Sequence, residues 1–163
     1  MPNPPITIGP FDNVPAPGSP IRSDWAQEIS QYVTALGSIK LLTQQGAASN
    51  IQATVANVAT IVLPAQTVNG TVLMIGDLRL DVSVAGDQWE ASLKKDGVNM
   101  QRRFLISFAW YNLTIHAIAG TAAGVAATYT LSAQRLAGTG TGSTGSGTDS
   151  RLSLFWLPNP SVV

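Results

Sequence analysis

The sequence predicts an all-β fold: an antiparallel β-sandwich of jelly-roll type with roughly seven or eight strands, preceded by a Pro-rich extended arm and one short α-helix. Three observations lead there. From Ala53 onward, apolar and polar residues alternate with a period of two, the mark of half-buried strands. Turn residues punctuate that stretch at Asn69-Gly70, Gly86-Asp87, Asp96-Gly97, Gly120–Gly124 and Gly138–Gly147. No segment of helical length separates the strands, which argues against a parallel α/β sheet. The expected organisation is an arm at 1–22, a helix at 23–39, a linker at 40–52 and a sandwich at 53–163.

The arm contains Pro2, Pro4, Pro5, Pro10, Pro15, Pro17 and Pro20. Each fixes φ and removes a backbone donor, so the segment is extended. It also carries Ile6, Ile8, Phe11, Val14 and Ile21, side chains of little use to a solvated linker. These suit an arm lying along a partner surface, or one folding back on its own domain. The helix at 23–39 has Ser23 or Asp24 as its cap and Gln27 three residues after Asp24. Trp25, Ile29, Tyr32, Leu36 and Ile39 follow the 4-3-4-3 spacing of helices that pack together. Gly37 ends it early, so it either self-associates or packs on the β domain.

Within the sandwich, Thr54–Leu63 is the first expected strand. In the next, Val72, Met74, Leu78, Leu80, Val82 and Val84 point one way, and Asp77, Arg79, Asp81 and Ser83 the other. Trp89, Ala91 and Leu93 alternate with Glu90, Ser92 and Lys94, and Asp96-Gly97 turns the chain. Phe104, Ile106, Phe108 and Trp110 continue the alternation, and Leu113 and Ile115 resume it after a break at Asn112. Val125, Ala127, Tyr129, Leu131 and Ala133 oppose Thr128, Thr130, Ser132 and Gln134. Leu152, Leu154 and Trp156 form the last strand, closed by Pro158 and Pro160.

The chain's 163 residues suit one domain with an appendage, and 45% of them are hydrophobic. Only 11% are charged, against about 25% for an ordinary soluble domain. Such depletion is typical of surfaces buried in an assembly. The net charge of zero leaves nothing to neutralise phosphates, so nucleic acid is not an expected partner. With no cysteine there are no disulfides or thiolate sites. Met1-Pro2-Asn3-Pro4-Pro5 lacks a basic region followed by an apolar run, so no secretory signal is expected. The uncharged stretches 41–76 and 104–134 are broken by polar residues and glycine, so membrane insertion is not expected either.

No motif points to catalysis, a cofactor or a metal. Gly140, Gly142 and Gly145 satisfy G-x-G-x-x-G, but a further strand follows where a dinucleotide site needs a helix. Residues 138–149 read instead as a flexible loop. His116 is the sole histidine; it could ligate an ion only if symmetry-related copies met on an axis. Asp77 and Asp81 share a strand face, where paired carboxylates could serve acid–base chemistry or bind calcium, but Arg79 between them implies a solvated or salt-bridged face. The short basic pairs Lys94-Lys95 and Arg102-Arg103, and the sequons at Asn69 and Asn112, read as ordinary surface features.

Ile6-Thr7-Ile8-Gly9-Pro10-Phe11 and Val14-Pro15-Ala16-Pro17-Gly18 lead to Trp25 and a short helix. Thr130–Arg135, a Gly/Thr loop and Leu152-Ser153-Leu154-Phe155-Trp156-Leu157-Pro158 close the chain. Together these resemble bacteriophage virion accessory proteins with a tumour-necrosis-factor-like or C1q-like domain. The resemblance implies a homotrimer packed about an axis through one sheet face. Phe104, Phe108, Trp110, Tyr129, Phe155 and Trp156 are then the candidates for core or axis positions. The expected function is that of a capsid decoration or minor capsid protein at the virion surface, docked on the major capsid protein through Ile6, Ile8, Phe11, Val14 and Ile21. The self-association helix would use Trp25, Ile29, Tyr32 and Leu36. A minor tail or baseplate protein, or a receptor-binding tip, is the alternative. A host-surface glycan is a further possible partner, through aromatics near Trp89 or Trp110.

Overall fold

The computed structural model describes residues 39–106, 110–144 and 149–159. The Pro-rich arm and nearly all of the expected helix, including Trp25, Ile29, Tyr32 and Leu36, lie outside them, as does Phe108. The described residues form nine strands: β1 (Lys40–Gly46), β2 (Ala56–Leu63), β3 (Gly70–Val82), β4 (Gln88–Lys95), β5 (Val98–Ile106), β6 (Trp110–Thr121), β7 (Ala127–Ala137), β8 (Gly142–Ser143) and β9 (Ser150–Pro158). They make two antiparallel sheets. The first runs β1-β9-β3-β6, with β8 also paired to β3; the second runs β2-β7-β4-β5. Apart from the β4–β5 hairpin and the step from β8 to β9, successive strands lie in opposite sheets.

The alternation places the core. In β3, Val72, Met74, Leu78 and Leu80 are buried, facing Trp89, Ala91 and Leu93 of β4 and Tyr129, Leu131 and Ala133 of β7. Leu152, Leu154 and Trp156 of β9 complete the layer. Such fully buried side chains each contribute about 1.5–3 kcal/mol over their exposed state. Trp156 meets its polar requirement by donating Nε1–H to Thr121 Oγ1 at 3.1 Å. On the far side of the second sheet, Ser92 and Ser132 are cross-strand partners with hydroxyls 2.9 Å apart.

Asp96 and Gly97 both adopt positive φ, 50° and 81°, as a tight right-twisted hairpin turn requires. Asn69-Gly70 does not turn the chain: Gly70 opens β3 within the ladder. Its missing side chain serves packing, because a Cβ there would sit 2.1 Å from Trp156 Nε1.

Several expectations are corrected. The segment 40–52, read as a linker, contains β1, which pairs along its whole length with β9. Ile39, expected to end the helix, precedes β1 outside any regular element. Phe104 to Trp110 is not one strand, because β5 ends at Ile106 in the second sheet and β6 begins at Trp110 in the first. Asn112 makes no break; β6 passes through it with Tyr111, Leu113, Ile115 and Ala119 turned inward. Val84 lies past the end of β3 and Val125 before the start of β7, and both are exposed.

The 138–149 stretch is also more ordered than a flexible loop through Thr144. It includes β8, and Ile51 and Gly142 exchange backbone hydrogen bonds of 2.8 and 2.9 Å. Buried Asp87 accepts from Gly140 N at 2.6 Å, and Arg135 donates to the Gly140 carbonyl. Gly138 fits beside Asp87 at φ 104°, where a Cβ would meet Oδ1 at 1.8 Å.

Candidate interaction face

The outward residues of the first sheet divide into two ends. Strand register aligns Leu41, Phe155, Leu73 and Ile118 in one row across all four long strands. Leu41 is 61% exposed and Ile118 66%, whereas Leu73 and Phe155, on the central strands, are half-buried by their neighbours. Exposed Ile39 and Leu157 flank this row at the sheet's end. The next row is Thr43, Ser153, Ile75 and His116.

Further along the same strands the face becomes charged. Arg151 Nη2 lies 2.9 Å from Asp77 Oδ2, and Thr114 Oγ1 donates to Asp77 Oδ1 at 2.9 Å. Arg79 reaches Asp149 at 3.1 Å and Asp81 at 3.5 Å. On this strand face Arg79 pairs with Asp81, whereas Asp77 pairs with Arg151 of β9 rather than with Arg79. Asp77, Arg79, Asn112, Thr114 and Asp149 line a shallow polar depression. Trp110, 60% exposed, stands in register with Asp81, two positions along β6 from the lining residue Asn112.

The aromatic candidates separate into distinct roles. Tyr129 and Trp156 are core residues. Burial, and secondarily the Asp96 carboxylate, push the Tyr129 phenol up to about 12. Phe155 belongs to the apolar row. Phe104, 65% exposed, lies with exposed Ile106 on the outer face of β5, because they pair with Glu90 and Gln88. Trp89 is fully buried and offers no platform to a ligand, whereas Trp110 is exposed. Docking-arm residues Ile6, Ile8, Phe11, Val14 and Ile21 lie outside the described residues. Sequence reasoning missed Leu73, Ile75 and Ile118. They are the apolar exceptions among outward-facing residues, and that irregularity is the signal that could have found them.

No family model matches the chain, and no curated protein matches it. Among solved structures, it is similar to dimeric latent PorU from Porphyromonas gingivalis, with 11% identity and a TM-score of 0.52 over 74% of this chain and 13% of that one. It also matches the infectious bursal disease virus VP2 subviral particle, with 12% identity and a TM-score of 0.36 over 77% of this chain and 38% of that one. A match to the Gx strain of that virus has 13% identity and a TM-score of 0.36, covering 76% and 37%. The chain thus spans well under half the length of each. The PorU likeness is one of fold.

Among the described residues, no group of three or more His, Cys, Asp or Glu could hold a metal ion, and no helix is long and apolar enough to cross a membrane. Four aligned apolar side chains contribute on the order of 10 kcal/mol at most if fully covered. Association costs about 4–15 kcal/mol. A stable contact must therefore cover Ile39, Ile75 and Leu157 as well, which needs a partner surface that spans all four long strands at this end of the sheet.

Proposed function

We propose that this chain is a structural virion protein: a jelly-roll domain that assembles as a homotrimer and docks on a phage capsid through residues 1–22. The observation that carries the reading is the Leu41–Phe155–Leu73–Ile118 row, an apolar band across a sheet that would otherwise face water. The sheet orders, with all but one of the long-strand connections crossing between sheets, support the jelly-roll assignment. The low charge of the chain and its resemblance to phage virion domains support an assembled state.

A second apolar surface, at Phe104 and Ile106, lies on the opposite sheet near its β5 edge. Two different patches on one subunit favour a head-to-tail contact, and three such contacts close into a ring. The trimer would expose its arms to the major capsid protein, and the apolar area buried would tie neighbouring capsid subunits together.

The test is occupancy on particles. Deleting residues 1–22 should leave a folded trimer that no longer binds the capsid; undiminished occupancy would refute the docking role. A decoration protein is present in hundreds of copies per particle, so a few copies would favour the tail or baseplate reading.

A further inference from the structure

We infer that the charged end of the first sheet, around Trp110, is a binding site for a neutral, hydroxyl-rich carbohydrate. Three features coincide there. The first is a concave polar surface, the depression lined by Asp77, Arg79, Asn112, Thr114 and Asp149. The second is a set of hydrogen-bonding groups already held in place. Arg151 fixes Asp77, and Arg79 is clamped between Asp81 and Asp149. A carboxylate has room for about four hydrogen bonds, so each retains acceptor capacity for sugar hydroxyls after its ion pair is made. Asn112 adds both a donor and an acceptor.

The third feature is the exposed indole of Trp110. It lies two positions from Asn112 on β6, hence on the same face, and in register with Asp81. A pyranose ring has an apolar C–H face and a hydroxyl edge. Trp110 suits the former and the depression the latter.

Charge selects the class of sugar. The face carries Asp77, Asp81 and Asp149 against Arg79 and Arg151, and each guanidinium already faces at least one of these carboxylates. Sialic acids and other anionic sugars would meet an excess of carboxylate. Neutral hexoses, deoxyhexoses and N-acetylhexosamines would not.

This inference stands apart from the trimer reading. Ile75, at the inner limit of the apolar end, and Asp81, in register with Trp110, are six residues apart on β3, roughly 20 Å at strand rise, so a neighbouring subunit that reaches Ile75 abuts Asp77 and still leaves Trp110 and Asn112 open.

The full-length protein should be applied to an array of oligosaccharides ending in neutral hexose, deoxyhexose or N-acetylhexosamine, and of sialylated counterparts. Methyl α-mannoside, methyl β-galactoside, N-acetylglucosamine and N-acetylneuraminic acid should then be titrated by saturation-transfer NMR. Saturable binding to at least one neutral terminus is expected, weakened tenfold or more by Trp110→Ala and by Asn112→Ala at unchanged circular dichroism and mass. Leu73→Asp, which attacks the trimer contact, should leave that affinity intact. No neutral ligand on the array, preference for sialylated termini, or undiminished binding by Trp110→Ala would each overturn the proposal.

Discussion

Gly76, at the centre of β3, packs directly against the opposite sheet. A Cβ there would lie 2.9 Å from both Leu131 Cδ1 and Leu93 Cδ2, and 3.6 Å from Leu131 Cδ2. Gly76→Ala should therefore overpack the core. The expected cost is about 1–3 kcal/mol, reduced by the roughly 0.4–1 kcal/mol that Gly→Ala gains through the unfolded chain. Leu131→Ala should cost about 2–5 kcal/mol and leave space beside Gly76. Together the substitutions should cost less than their sum, because the new methyl enters the space vacated by Leu131. The expected coupling is about 1–2 kcal/mol in the favourable direction. Urea denaturation of the four proteins at fixed concentration, with m unchanged, would measure it. Strict additivity would refute the close approach of β3 to β7, and with it the layer arrangement that turns Leu73 and Ile75 outward.

Three further outcomes follow from specific contacts. Gly138→Ala should destabilise by about 1–3 kcal/mol, because it opposes both a φ of 104° and the Asp87 carboxylate; thermal melting would show it, and Gly86→Ala, also at positive φ but with open space around it, should cost less. Tyr129 ionises near pH 10 when unfolded but near 12 when folded. Its contribution is thus intact below pH 10 and lost as pH rises toward 12, where the unfolded state sheds the proton first. Among the described residues its hydroxyl has no hydrogen-bond partner, so Tyr129→Phe should retain stability at neutral pH and lose less between pH 10 and 12, as followed by urea denaturation at each pH. Leu73→Asp with Ile118→Asp should reduce assembly to a folded monomer, measurable by sedimentation velocity.

The parts of the fold legible in the sequence are those where one face is buried and the other wet. β3, β4, β7 and β9 alternate cleanly because the core takes every second side chain. β1 was not legible because it is an edge strand with only Leu42 and Gly46 partly buried, so its period is weak. β5 misled for a related reason. Phe104 and Ile106 alternate like core residues but face outward, and Leu105 is the half-buried residue between them. Composition identifies a large hydrophobic side chain, and only register tells which side of the sheet receives it. The same limit hid the apolar row. Leu41, Leu73, Ile118 and Phe155 are distant in sequence and become neighbours only through β1–β9–β3–β6 pairing. The charged end was legible in part, since Asp77, Arg79 and Asp81 lie on one strand, whereas their pairing with Arg151 and Asp149 depends on β9 and its approach.

Self-association through the first sheet's outer face is the claim on which the functional reading rests. Light scattering coupled to size-exclusion chromatography of the full-length protein tests it most directly. The account predicts a single species at three times the 17.0 kDa chain mass, shifted to the chain mass by Leu73→Asp with Ile118→Asp. A stable wild-type monomer of 17.0 kDa across the micromolar range would contradict it.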